Sequence, residues 1–356
     1  MDKLRVIQWT TGKVGKLSLR GILDDPRLEL VGVYAYSDSK KGTDAGPLCG
    51  RPETGVTATN DIDALIALGA DTVLYTPFEA NLDQAIRLLE SGLDVVSTNL
   101  FLNVGGIRGE VKEKLEAACQ RGGSSLYITG INPGWVNSVV TSLTGACRDV
   151  QFVGTTESAD CSVYESVETW SFLGMGEPAG EPGVVSSELM QRAHDWLILF
   201  RDVVVRIGAA LELEYDDIDF FCEYATAAED IDLGWFKMDK GTYAALRGGW
   251  QGKLNGKTVV QMKVVWYLTK KLAEGWDLDP DHYHLEIKGD PDLNARIRIT
   301  PPAHWGNHDW DTTTAMPAVN ALFQIAAAPP GILGLRDVGL PYAPVGEWLR
   351  DRAKAN

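Results

Sequence analysis

A chain of 356 residues has room for two domains, and 45% hydrophobic with 23% charged residues is the balance of a protein with a sizeable core. A net charge of −16 would repel a phosphate backbone, and the absence of any uninterrupted apolar run of about 18 residues argues against a membrane span, so neither nucleic acid nor membrane is an expected partner. Five scattered cysteines without C-x-x-C spacing, and a start without a secretory apolar region, predict a cytoplasmic protein with reduced thiols.

Leu4, Val6 and Ile7 form a short apolar run that reads as a buried strand. The chain then turns through Thr10-Thr11-Gly12-Lys13-Val14-Gly15 and enters a helical pattern over Lys16–Leu23. Strand, glycine turn and helix make a dinucleotide-binding layout. Glycine lets the backbone approach a pyrophosphate, and the N–H groups at the helix start favour its charge. Gly12 and Gly15 fill the second and third places of G-x-G-x-x-G, while Thr10 stands in the first. Residues Thr10, Thr11, Gly12, Lys13, Val14 and Gly15 are the expected cofactor loop.

Leu28–Tyr36 reads as the second strand of a parallel sheet. An acidic residue at this strand's tip binds the ribose 2′-hydroxyl in NAD enzymes. Here the tip runs Tyr36-Ser37-Asp38-Ser39-Lys40-Lys41. Ser37 followed by Lys40 suits a 2′-phosphate, so NADP(H) is the preferred cofactor. Asp38 keeps NAD(H) open if the strand ends one residue later.

Asp44–Pro52 reads as a Gly/Pro loop, Thr57–Thr59 as a short strand, and Asp61–Leu68 as a helix capped by Asn60 or Asp61. Strands follow at Asp71–Thr76, Asp94–Ser97 and Ser125–Ile128, separated by helical patterns over Asn81–Ser91 and Val111–Arg121. Strand alternating with helix predicts right-handed crossovers into one doubly wound parallel sheet. Ligands of such sheets lie beyond the carboxyl ends of the strands. Thr76-Pro77-Phe78, Thr98-Asn99 and Gly130–Trp135 should therefore converge with the glycine loop.

From Val136 the pattern changes. A helix over Val136–Thr144, a strand over Gln151–Glu157 and a turn-rich stretch, Tyr164–Glu181, precede one long helix over Ser186–Leu211. Strands at Ile218–Ala225, Thr242–Leu246, Thr258–Leu268, His284–Lys288 and Ala295–Ile299 follow without helices between them. That succession predicts an α+β domain with a mainly antiparallel sheet. Thr312–Ala328 returns to helix and stops at Pro329-Pro330. The expected domains are 1–135, 136–311 and a C-terminal part, 312–356, packing back on the first.

With these stretches in view, the chain resembles the dihydrodipicolinate-reductase-like superfamily, and within it the 2,4-diaminopentanoate dehydrogenases and native amine dehydrogenases. The resemblance rests on Val6–Gly15, Asp44–Gly50, Asp71–Pro77, Gly130–Val136 and Thr314–Ile332. It implies a Rossmann domain binding NAD(P), an α+β second domain, a homodimer, and a C-terminal helix returning to the cleft. The implied reaction is reductive amination of a carbonyl compound, or its reverse. Amine-forming relatives carry a glutamate just after the strand corresponding to Asp94–Ser97, whereas this chain reads Thr98-Asn99-Leu100-Phe101-Leu102-Asn103. Asparagine hydrogen-bonds but cannot take up a proton or balance an iminium charge.

Topology places Asn99 beside the nicotinamide, and Asn132 and Trp135 on the turn into the second domain. Tyr164 matches a tyrosine that lines the cleft in the family and is the expected proton donor. Tyr164, Asn99 and Asn132 are thus the catalytic candidates. Cofactor contacts extend from the glycine loop to Ser37, Lys40, Thr76, Pro77, Thr98 and Asn99; Phe78, Phe101, Trp135 and Tyr164 are expected around the substrate. Glu165 and Glu168 are carboxylates near Tyr164. His282-x-His284 and His304-x-x-x-His308 are spaced like ligands, but a loop does not hold them to one face, and no metal site is assigned. The expected function is hydride transfer between the nicotinamide and a small or mid-sized carbonyl, imine, alcohol or amine. Two alternatives stand: a non-catalytic dinucleotide sensor or scaffold, and an amine dehydrogenase with a displaced acid.

Overall fold

The structure is a computed structural model and describes residues 2–100, 107–181, 184–280 and 282–344. Phe101 lies outside the described residues. The chain forms two compact units, 1–135 with 308–356, and 136–307.

The first unit starts with β1 (Leu4–Trp9), α1 (Lys13–Asp24) and β2 (Leu28–Tyr34). It continues through α2 (Ala45–Cys49), β3 (Ala58–Thr59), α3 (Ile62–Ile66), β4 (Thr72–Tyr75), α4 (Leu82–Glu90), β5 (Asp94–Ser97), α5 (Gly109–Gly122) and β6 (Ser125–Ile128). Among the described residues these strands and Gly331–Ile332, from the end of the chain, make one seven-stranded sheet. Its order is β3-β2-β1-β4-β5-β6 with Gly331–Ile332 outside β6, and every pairing is parallel. The order reverses between β1 and β4, the switch point at which doubly wound sheets open a crevice for a ligand.

Both faces of the sheet are covered, which explains strands without polar alternation. Val6, Leu74, Val96 and Tyr127 share a core with Leu19 and Ile22 of α1 and with Ala318, Leu322 and Ile325 of the C-terminal helix, Thr312–Ile325. Ile7, Val73 and Val95, which alternate with them, are fully buried too. No helix among the described residues is long and apolar enough to cross a membrane.

The second unit contains α6 (Val136–Leu143), β7 (Asp149–Asp160), α7 (Val167–Phe172), α8 (Ser187–Leu197), α9 (Arg201–Ala210) and β8 (Asp217–Thr226). After the small pair β9 (Ile231–Asp232) and β10 (Lys237–Met238) come β11 (Tyr243–Leu254), β12 (Lys257–Tyr267), β13 (Tyr283–Asp290) and β14 (Leu293–Ile297). Its six-stranded sheet runs β14-β13-β7-β12-β11-β8, antiparallel except where β7 meets β12. α9 packs on β11 and β12, and α6 on β7 and β13.

Four stretches fold otherwise than their sequence predicts. Asp44–Pro52 contains α2, because the Asp44 carboxylate gathers the amides of Gly46, Thr54 and Gly55 and caps a turn of helix. The second strand ends at Tyr34, not Tyr36, where the Ala35 amide turns to the carbonyl of Thr59. The long helix over Ser186–Leu211 is broken by a 3₁₀ turn at Ile198–Phe200, beside the Leu197 carbonyl, which accepts the Trp250 indole N–H at 2.8 Å. The strand predicted over Thr242–Leu246 runs on to Leu254 and returns through Asn255-Gly256. Their φ values of 50° and 72° make the two-residue hairpin turn that the Asn-Gly pair favours.

Candidate functional site

The glycine loop leaves β1 in a left-handed turn. Thr10, in the place of the first fingerprint glycine, has φ 74°, a conformation costing a non-glycine residue roughly 1–2 kcal/mol. Buried polar groups hold it there. Gln8 Nε2 donates to the Thr10 carbonyl at 3.0 Å and to Thr76 Oγ1 at 2.9 Å, and Thr76 Oγ1 donates to the Trp9 carbonyl at 2.9 Å. The ends of β1 and β4 are thereby locked together at the switch point. Gly15 is required by packing: a Cβ there would lie 2.5 Å from the Thr10 carbonyl oxygen. Gly12 precedes α1 without a side-chain cap, and a Cβ on it would meet nothing within 4 Å. A pyrophosphate fits such an opening, with the first amides of α1 as donors.

Lys40 reaches back to this loop from beyond β2. Its Nζ donates to the Thr11 carbonyl and to Thr11 Oγ1, both at 3.1 Å. Partial burial, and then the nearby Lys16 ammonium, lower its pKa. Two cations beside an open helix start form a site that an anion would stabilise. Ser37, Asp38 and Ser39 complete the β2 tip. Ser39 Oγ donates to Ser37 Oγ at 3.2 Å, while Asp38 accepts from Asn60 Nδ2 at 3.4 Å.

A cavity of about 490 Å³ joins these elements. Thr10, Thr11, Gly12, Ser37, Lys40, Pro77 and Phe78 line it; Phe78 is 92% exposed at its rim. Asp38 is not among the lining residues. Lys13 and Val14 begin α1, and Gly15 and Thr76 are buried in packing behind the loop. Thr98 continues β5 by donating its amide to the Tyr75 carbonyl at 3.3 Å.

Asn99 does not face the cavity. Its Nδ2 donates to the carbonyls of Pro77 and Phe78, at 3.0 Å for the latter, and the side chain is buried. Ser97 Oγ accepts the amides of Asn99 and Leu100 at 3.3 and 3.0 Å and fixes the start of this loop. The Asn99 amide holds the Pro77-Phe78 wall. Asn132 and Trp135 lie on the loop after β6, which the Trp135 amide closes onto the Gly130 carbonyl at 2.8 Å.

Tyr164 belongs to the second unit and is 55% exposed, with its ring edge-on to Trp170 at 6.0 Å. Glu165 and Glu168 are exposed. Of the predicted histidines, His282 Nδ1 accepts the Ile299 amide at 3.1 Å and His284 Nε2 lies 3.1 Å from Asn294 Oδ1. No group of three metal-ligating side chains gathers among the described residues.

Several residues of the site were missed in the sequence: Trp9, Tyr34, Tyr36, Glu79, Ala80, Asn81 and Gln84 line the cavity, and Gln8 supports it. Trp9 and Tyr34 stack face to face at 4.2 Å and 3° and line the cavity. As last residues of adjacent parallel strands in register, they share a face, a signal visible once the pairing is known. Gln8, fully buried, was marked by being polar inside an apolar strand.

A model of the 2,4-diaminopentanoate dehydrogenase C-terminal domain matches residues 135–354. The chain belongs to that family. It is an NAD(P)-dependent oxidoreductase, with a Rossmann unit preceding the family's domain. Over 356 aligned residues it is 27% identical to an amine dehydrogenase of Streptomyces virginiae, covering 95% of this chain and 96% of that protein. A 4-hydroxy-tetrahydrodipicolinate reductase of Methanopyrus kandleri is 34% identical over 127 residues, 35% of this chain and 44% of that one. Among solved structures, an amine dehydrogenase from Mycobacterium smegmatis superposes with a TM-score of 0.70 at 19% identity, covering 96% of this chain and 97% of that one. That likeness is one of fold.

Proposed function

We propose that the enzyme is an NADP(H)-preferring amine/imine oxidoreductase, interconverting a small or mid-sized carbonyl compound with the corresponding amine. The observation that carries the cofactor preference is Lys40 docked on Thr11, with Ser37 beside it and Asp38 turned to Asn60. A cation and a hydroxyl suit a 2′-phosphate, whereas a carboxylate would repel it. Thr10–Gly15 would cradle the pyrophosphate, and Pro77 and Phe78 would border the adenosine side. When bound, the nicotinamide supplies or accepts the hydride. Amine chemistry is supported by the full-length similarity to an amine dehydrogenase. Tyr164 is assigned to the substrate's surroundings, along with Trp135 and Asn132. A cytoplasmic homodimer is part of this reading; its stoichiometry is read by light scattering.

Fluorescence titration with NADPH and NADH tests the cofactor, and absence of binding by both overturns the proposal. Loss of NADPH absorbance with 2-butanone, cyclohexanone and benzaldehyde, with and without ammonium, tests the reaction. Turnover requiring ammonium is the expected result. Turnover without ammonium would make the enzyme a carbonyl reductase, and cofactor binding without any turnover would make it a sensor.

A further inference from the structure

The cavity of the first unit has a wall to which neither the glycine loop nor the β2 tip gives a role. With the pyrophosphate on Thr10–Gly12 and the ribose phosphate on Ser37 and Lys40, the base joined to that ribose meets the rest of the lining. That part is chiefly Tyr36, Phe78, Glu79 and Gln84. Tyr36 follows the end of β2 and Phe78 the end of β4, the strands on either side of β1. Both rings stand largely in water, at 82% and 92% exposure, although each borders a concave surface. Stacking on a flat heteroaromatic ring takes such faces out of water.

Gln84 brings a second kind of contact. Asn81-x-x-Gln84 at the start of α4 is the sequence of a capping box, in which the glutamine side chain reaches back to the Asn81 amide. Only half of that box forms. Asn81 Oδ1 accepts the Gln84 amide at 3.0 Å, but the Asn81 amide donates to the Tyr75 hydroxyl, also at 3.0 Å. Burial pushes the Tyr75 phenol up to about 12, so the hydroxyl keeps its proton. It shares that proton between the Asn81 carbonyl at 3.2 Å and Gln84 Oε1 at 3.5 Å. Gln84 is thereby released from the cap. Its Nε2 has no hydrogen-bond partner among the described residues, and its Oε1 has only the long contact to Tyr75. A side-chain amide offers an acceptor and a donor side by side, the complement of adenine's amino group and adjacent ring nitrogen. The Glu79 carboxylate on the same wall accepts only, which favours an amino group over a carbonyl at that edge.

We propose that Gln84 reads the cofactor's base as adenine, while the rings of Tyr36 and Phe78 stack on it. Gln84 Oε1 accepts from the 6-amino group and Nε2 donates to a neighbouring ring nitrogen. The base is then selected at its edge by one side chain and held on its faces by two others.

This inference rests on the cofactor reading above, and its test separates the two. The full chain is titrated by fluorescence with NADPH and with its deamino analogue, in which hypoxanthine replaces adenine and a carbonyl stands where the amino group was. If NADH is the tighter ligand, the same comparison is made with NADH and its deamino analogue. We expect wild type to bind the adenine form about tenfold or more tightly than the analogue, the scale of a bidentate amide–adenine pair. Gln84→Met should bring the two dissociation constants to within about threefold by weakening the adenine form, with the analogue little changed. Tyr36→Ala should weaken both ligands equally, by about tenfold, because stacking is blind to the edge, and Tyr36→Phe should retain both. Equal binding of the two ligands by wild type overturns the readout, and that result needs no variant to fold. Discrimination that survives in Gln84→Met overturns the role of Gln84, and wild-type affinity in Tyr36→Ala overturns the stacking. A wild-type protein that binds neither NADPH nor NADH overturns the cofactor reading itself.

Discussion

Lys40 offers the sharpest test of the cofactor assignment. Replacing it by methionine keeps most of the stem and removes the ammonium that now donates twice to Thr11 at 3.1 Å. These contacts give up a cation whose charge is already disfavoured by burial and by Lys16. A bound phosphate monoester would reverse that penalty, and one charge-assisted hydrogen bond contributes about 1.5–2 kcal/mol at a partly solvated site. That is about a 10–30-fold weakening of NADPH binding. NADH, which lacks the 2′-phosphate, should change by less than about threefold, so the ratio of the two dissociation constants is the diagnostic quantity. The NADPH loss should shrink as salt is raised, because mobile ions screen the lost charge. Fluorescence titrations of wild type, Lys40→Met and Lys40→Arg provide the comparison, with arginine expected to retain the preference. Equal weakening of both cofactors would move Lys40 to the pyrophosphate. No weakening of either would remove it from the site.

Other expectations follow from the same geometry. Gly15→Ala forces a Cβ to within 2.5 Å of the Thr10 carbonyl oxygen, so the loop must shift. Urea unfolding should show a loss of about 1–3 kcal/mol together with weakened cofactor binding, and a neutral result would refute the packing argument. Restoring an acid by Asn99→Asp should not raise activity, because a carboxylate has no proton for the Pro77 and Phe78 carbonyls; stability at neutral pH should fall by about 1–3 kcal/mol. An increase in turnover would refute that assignment. Asp94 sits at the start of β5, where burial is the main cause raising its pKa to about 6. A carboxyl whose folded pKa lies above its unfolded value is stabilising when protonated, so its contribution grows as pH falls from about 6 towards 4 and is lost as pH rises through 6. Relative to wild type, Asp94→Asn should be most favourable near neutrality and lose that advantage near pH 4. Parallel melting curves across that range would exclude the effect.

Most of the Rossmann unit could be read directly because its signals are local. Strand, glycine turn and helix occur in immediate succession at Leu4–Asp24, and Asp61 and Asn81 cap α3 and α4 by accepting the amides of Ala64 and Gln84. The second unit was less legible. Its long helix is interrupted beside a carbonyl bound by Trp250, about fifty residues further on, and β7 pairs in parallel with β12, about a hundred residues away. Neither partner has any expression in the local periodicity.

By itself the sequence determined that Thr10–Gly15 would form a turn between a strand and a helix, because glycine spacing and apolar runs act on neighbouring residues. It also showed that the segment after Ser97 lacks a carboxylate. Only the tertiary structure decided how Thr10, where a glycine was expected, is tolerated: Gln8, Trp9 and Thr76, brought together by the β1–β4 pairing, hold its strained backbone. It also turned Asn99 towards two carbonyls. The reason is the same in each case. A polar side chain's chemistry is set by the partners that surround it once water is excluded, and those partners come from distant parts of the chain.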